Sequence, residues 1–201
     1  MNRKILMMLA LIGLSAGMAN AQTNGICGDS LTWSLTDTES DLTLTISGTG
    51  DMYNYRNNAP WHSQRRKIKT LVLHNGMTSI GNYAFGLCDG VASVTIPNSV
   101  KTIGMGAFSF CFGLTSVTIP NSVTSVGKDA FAMSGIKDVY VSWTPSPPAI
   151  TIPGLQPLIR IPGSSANNKV TLHVPQGALA AYQNARWWKN FNIVEDVSNT
   201  E

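Results

Sequence analysis

Three histidines, three cysteines and eleven acidic residues are the side chains in this 201-residue chain that could hold a metal or activate a nucleophile. His62, His74 and His173 form no H-x-x-x-H pair, the cysteines form no C-x-x-C, and the carboxylates do not cluster. No zinc or iron set is therefore expected, and no cofactor. No G-x-S-x-G elbow, phosphate loop or dinucleotide fingerprint appears, since Gly48-Thr49-Gly50 lacks the helix that phosphate binding needs. Cys88 as a nucleophile would need an activating base. Its repeat-equivalents Cys111 and Ser134 point instead to a packing slot, and the expectation is a protein without catalytic residues. Binding chemistry has more material. Tyr53, Tyr55 and Trp61 could form a sugar-stacking platform, with Arg65 and Arg66 of the basic cluster to Lys69 holding an acidic glycan. The same residues also read, more simply, as cap core and a solvated turn.

The elements that would position these groups are set by a repeat. SVTIPNSV occurs at 93–100 and again at 116–123, a period of 23 residues. That shift aligns Leu71, Val94 and Val117; Leu73, Ile96 and Ile119; Met77, Val100 and Val123; and Ile80, Ile103 and Val126. Ala84, Ala107 and Ala130 follow, then Phe85, Phe108 and Phe131, and Leu87, Phe110 and Met133 form a further matching row. Conserved type at fixed rows, with variable polar residues between, is the pattern of a core ladder. The third copy is one residue short in FAMSGI, so Val139 and Val141 begin a fourth strand. Ser93 to Ile96 alternates as a short strand that Pro97 ends, and Ala107-Phe108 fits a short helical turn. No single coil can bury these rows, so the copies must stack into a solenoid with a parallel sheet. Asn75, Asn98 and Asn121 recur in the turn after each strand, as an amide ladder or as turn formers.

Both ends need covering. Leu31–Leu35 and Leu42–Ile46 alternate around the polar stretch 36–41 and predict a β-hairpin before the first coil. Pro60-Trp61 opens a helix-like segment to Ile68. Residues 143–169 hold six of the ten prolines and read as a loop, with extended pieces such as 149–152. Thr171–Val174 reads as a strand, Ala178–Lys189 as a helix, and Ile193-Val194 as a closing strand. The expected class is an α+β repeat solenoid: a short parallel sheet of about three to four 23-residue coils, an N-terminal β-hairpin cap and a C-terminal strand-helix-strand cap. Its organisation is a signal peptide at 1–21, N-terminal cap at 22–68, solenoid at 69–142, Pro-rich loop at 143–169 and C-terminal cap at 170–201.

The leader is read from a basic start at 2–4, an apolar run from Ile5 to Leu14, and Ala19-Asn20-Ala21 before Gln22. Export follows, to the periplasm, cell surface or medium. Asn24-Gly25-Ile26 before Cys27 does not suit a lipoprotein site, and no later segment could span a bilayer. Two of the three formal net positive charges sit on Arg3 and Lys4 of this leader, so the basic pI implies no nucleic-acid partner. With 43% hydrophobic and 12% charged residues the chain can build a core and is poor in charge. Cys88 and Cys111 are most simply free thiols at equivalent packed positions, although adjacent coils about 5 Å apart would allow a bridge.

SVTIPNSVTSVGKDAF and SVTIPNSVKTIGMGAFSFCFGL resemble the BspA-type leucine-rich repeat of secreted and surface proteins of Bacteroidales and other microbes. CGDSLTWSL, TLTISGTGDM and APWHSQRRKIKTLVL are similar to the segments that precede such repeats, and LHVPQGALAAYQNARWWKNFNIVE to their closing unit. The resemblance implies an interaction module, adhesin-like, binding host or bacterial surface proteins. With Leu71, Val94, Val117 and Val139 facing inward, the outward sheet residues that would meet a partner are Val72, Ser93, Thr95, Ser116, Thr118, Asp138 and Tyr140. Tyr140 is the best single anchor. The alternatives are a carbohydrate-binding role for the cap aromatics and an envelope scaffold that pairs with copies of itself through its sheet edge.

Overall fold

The structure, a computed structural model, describes residues 23–38, 41–56, 58–144, 170–185, 188 and 191–196. The leader and most of the Pro-rich stretch, including 149–152, lie outside them. The described chain opens with three antiparallel strands, β1 (Asn24–Ile26), β2 (Gly28–Thr38) and β3 (Asp41–Met52). Alternation places Leu31, Trp33, Leu44 and Ile46 in the core. The hairpin strands are longer than the apolar alternation predicts, because Thr36 and Asp37 pair with Thr43 and Leu42. Thr36 and Asp37 are exposed there, while Leu42 packs against the edge of the core.

A 3-10 turn (His62–Gln64) leads into β4 (Ile68–Leu73) and β5 (Met77–Ile80). The repeats then supply β6 (Ser93–Thr95), β7 (Thr102–Ile103), β8 (Ser116–Ile119), β9 (Ser125–Val126) and β10 (Asp138–Val141). β11 (Thr171–Val174), α1 (Leu179–Asn184) and β12 (Asn192–Glu195) close the described chain. The coils of β6–β7 and of β8–β9 each give one short strand to each of two sheets, whereas β4 and β5 both pair with β3. One sheet runs β1-β2-β3-β5-β7-β9, with β4 also on β3, and the other runs β12-β11-β10-β8-β6, parallel throughout. The molecule is a parallel β-solenoid of about five turns.

Between the sheets the repeat rows stack. Trp61, Phe85, Phe108 and Phe131 form a continuous aromatic ladder with ring centroids 5.6, 5.3 and 5.3 Å apart. Trp61 starts it from outside the repeat register, and its indole N–H donates to the Ala84 carbonyl at 2.9 Å. Val94, Val117 and Val139, then Ile96, Ile119 and Val141, line the core below the second sheet. Gly104 is required by approach: a Cβ there would lie 2.6 Å from the Asn82 backbone nitrogen of the preceding coil.

Three expectations are corrected. The α+β description gives way to a β-solenoid, since the described helix amounts to one six-residue α-helix and a 3-10 turn. The Ala-Phe segments are the short turns expected of them and add no helix, with Ala107 N–H on the Gly104 carbonyl and its copy Ala130 on Gly127. The helix expected over Ala178–Lys189 stops at Asn184, where Ala185 turns extended at ψ 129°. So short a helix has little stability of its own. Packing of Trp188 against Trp143 and Tyr182 turns the chain inward instead. Finally, Leu87, Phe110 and Met133 are not a core row. All three adopt left-handed backbone, φ 65°, 58° and 57°, and Phe110 and Met133 are 44% and 42% exposed. The recurring feature there is a tight turn, and its conformation swings the side chain outward.

Candidate interaction site

The outward face of the second sheet is built by register. Ser93, Ser116, Asp138, Thr171 and Asn192 form one lateral row, and Thr95, Thr118, Tyr140, His173 and Val194 the next. Each residue sits beside its neighbour because parallel strands about 4.8 Å apart hold equivalent positions in line. The inward residues between them are buried apolar side chains, which fixes the face each row presents. Ser93, Thr95 and Tyr140 are exposed, while Val72, Ser116, Thr118 and Asp138 are half-buried. Six of the seven residues expected to meet a partner thus lie on this face, on β6, β8 and β10, whereas Val72 sits on β4, which pairs with β3 of the other sheet.

Two contributors escape sequence reasoning. His173 stacks on Tyr140 with ring centroids 4.1 Å apart, its Nε2 lies 3.1 Å from Asp138 Oδ1, and its Nδ1 lies 3.0 Å from Asp196 Oδ1. The ring is thereby clamped between two carboxylates and an aromatic face, which also fixes Tyr140. The carboxylates occupy opposite ring nitrogens, so three donors do not converge on one point. Among the described residues no His, Cys, Asp and Glu group is arranged to hold a metal ion. The strand reading of Thr171–Val174 was available, but the stretch 143–169 breaks the period and hides that His173 continues the row of Tyr140.

The residues considered for a glycan are placed differently. Trp61 is 1% exposed, and Tyr55 is also buried, its ring edge-on to Trp61 at 5.7 Å. Neither offers a free ring face, since Trp61 is committed to the aromatic ladder and Tyr55 is buried against it. Tyr53 alone of the three is exposed, its hydroxyl donating to Asp29 Oδ1 at 3.0 Å. Arg65 is turned back onto the His62 carbonyl at 2.7 Å, while Arg66 points to solvent. Asn75, Asn98 and Asn121 are exposed turn residues. An asparagine ladder occurs elsewhere: Asn54 Oδ1 accepts from Asn82 N–H and Asn82 Oδ1 from Met105 N–H, at 2.8 and 2.7 Å.

Cys27, Cys88 and Cys111 are buried free thiols. Burial pushes Cys27 and Cys111 up to about 12, and Cys88 higher still, so none is a nucleophile near neutral pH. No helix among the described residues is long and apolar enough to cross a membrane.

Comparison with known proteins agrees with this geometry. A family model described as "BspA type Leucine rich repeat region (6 copies)" matches residues 61–145. Among solved structures, the chain is similar to a leucine-rich repeat protein from Eubacterium ventriosum ATCC 27560, with 23% identity and a TM-score of 0.50, over 78% of this chain and 45% of that one. It is also similar to a leucine-rich repeat protein from Bacteroides ovatus ATCC 8483, with 16% identity and a TM-score of 0.41, over 85% of this chain and 52% of that one. The chain therefore spans about half the length of these structures. No curated protein matches it. The first likeness supports the fold, and the family match falls on the coils that carry the 23-residue period. The chain thus carries a BspA-type leucine-rich repeat region over residues 61–145, the family to which its solenoid belongs.

Proposed function

We propose that the chain is an exported, non-catalytic binding module that recognises a polypeptide on a host or bacterial surface through the outer face of its second sheet. The observation that carries this reading is the pair of outward rows crossing β6, β8, β10, β11 and β12 in strict register. They present hydroxyls along one stretch and the braced Tyr140–His173 pair at the other. A rigid aromatic held by neighbours loses little freedom on binding and suits an interface anchor. The hydroxyl rows add hydrogen bonding with little charge, so recognition depends on shape more than on electrostatic steering. The repeat family points to protein interaction in the same direction. The residues assigned to contact are Val72, Ser93, Thr95, Ser116, Thr118, Asp138 and Tyr140, now joined by His173. Export rests on the leader pattern at 1–21.

The test is a double substitution, Thr118→Arg with Tyr140→Ala. It places a charge and removes the anchor on the face without touching the core. Partner capture from host extracellular matrix and from the producing cell's envelope, read by mass spectrometry, should fall at least tenfold while the circular dichroism melt is retained. Undiminished capture by the variant would refute the site.

A further inference from the structure

His173 makes more polar contacts than one of its two charge states can satisfy. Register sets it on the outward face between Tyr140 of β10 and Val194 of β12. Its Nε2 lies 3.1 Å from Asp138 Oδ1 and its Nδ1 3.0 Å from Asp196 Oδ1, one carboxylate on each ring nitrogen. A carboxylate accepts and does not donate, and a neutral imidazole has a single N–H. Both contacts are therefore hydrogen bonds only when the ring carries two protons. The third contact, the Tyr140 ring stacked at 4.1 Å and 19°, accommodates either form and adds cation–π attraction to the charged one.

The surroundings isolate this cluster. Asp138 and Tyr140 face the ring from β10 and Asp196 from the end of β12, while β8 adds only Ser116 and Thr118 to the same rows and α1 carries no charged side chain. Glu195 lies on the opposite face of β12 by alternation, where it accepts from the Gly177 N–H, and Lys137 is exposed just before β10. Among the described residues, His173 is the one basic group within ion-pair distance of either carboxylate. The two arms are not equivalent. Asp138 is held in a strand flanked by β8 and β11, its side chain 40% exposed, whereas Asp196 follows the last strand and is 51% exposed. A ring lone pair set against a carboxylate is relieved more easily at Asp196.

We propose that His173 is a proton-dependent clamp on the sheet face: the imidazolium ties β10 and the end of β12 to β11, and loss of one proton releases Asp196 while Nε2–H stays on Asp138. Histidine is the side chain suited to such a change between about pH 5 and 8. With one arm released, the ring that braces Tyr140 is held from one side only, so recognition through Tyr140 weakens as pH rises. The inference deepens the sheet-face reading, and its link to partner capture rests on that reading.

The test is NMR of the imidazole nitrogens in the full chain from about pH 5.5 to about pH 8, with His173→Gln telling its signals from those of His62 and His74. The ring should carry two N–H groups at the acid end and only Nε2–H at the other. Over the same range the Asp196 amide, which donates to the Val174 carbonyl at 2.9 Å, should lose at least threefold of its protection against hydrogen exchange, corrected for the intrinsic rate. Asp196→Asn supplies the control. A side-chain amide presents a carbonyl to an N–H or, flipped, an NH2 to a lone pair, so this variant should keep both contact and protection across the range. Partner capture by the wild type should be at least threefold weaker at the alkaline end, and Asp196→Asn should remove the difference. A ring that keeps one charge state throughout, or that loses a proton with no change at Asp196, overturns the clamp. Capture that is equal at both ends, or whose pH dependence survives Asp196→Asn, overturns its control of recognition. The sheet-face reading fails separately: if Thr118→Arg with Tyr140→Ala captures as well as the wild type, recognition lies elsewhere, and the NMR result, which needs no partner, still decides the clamp.

Discussion

At the scale of single residues, burial and backbone conformation separate side chains that the repeat treats alike. Phe108 and Phe110 both recur in type at the 23-residue period, yet one is fully buried and the other sits exposed in left-handed backbone at φ 58°. Type and spacing locate the row, but the sign of φ depends on how tightly the turn must close, which an apolar pattern does not encode. For a bulky residue that conformation costs about 1–2 kcal/mol, which Asn tolerates better. Phe110→Asn should therefore leave stability unchanged or raise it by up to about 1 kcal/mol in urea unfolding, whereas a loss beyond about 1 kcal/mol would show that the exposed ring is structural. The thiols give a second check. Because the thiolate is the reactive form and Cys27 and Cys111 are held near 12, a disulfide reagent at pH 8 should label no cysteine in the folded chain and three after unfolding. Rapid labelling in the native state would contradict the buried placement.

At the scale of elements, the coil is held by what it stacks on. Phe108 lies between Phe85 and Phe131 at 5.3 Å on both sides, so truncating it removes two ring contacts and leaves a cavity between sheets. Phe108→Ala should cost about 3–5 kcal/mol in denaturant unfolding. Phe131→Ala in the same background should be non-additive by about 0.5–3 kcal/mol, because the rings are neighbours, and simple additivity would argue against a continuous ladder. The strands were legible because Val-x-Ile alternation and Pro97 or Pro120 mark their limits. The short α1 was less so: helical spacing of Leu179, Tyr182, Ala185 and Trp188 suits a longer helix, but the indole of Trp188 packs by turning the chain. The missing pairing between β4 and β6 was illegible for a different reason. Leu71 and Leu73 keep the apolar alternation of every other coil, and only the backbone shows that β4 has gone to β3.

At the scale of the molecule, a solenoid joins residues far apart in sequence by lateral register. Asp138, His173 and Asp196 meet although the 143–169 stretch separates them, and the row Thr95, Thr118, Tyr140, His173 crosses four coils as one surface. The period made the first three members readable, and its interruption concealed the fourth. Such a face is rigid because each coil is fixed by its neighbours, which favours a binding surface over a moving part. The central claim is that this face recognises a polypeptide. Its most direct test is quantitative capture by the immobilised full chain and by its Thr118→Arg, Tyr140→Ala variant, compared at equal folded concentration. Loss of the captured protein by at least tenfold, with the melting temperature retained, is the result predicted here. Equal capture by both would place recognition elsewhere and contradict the account.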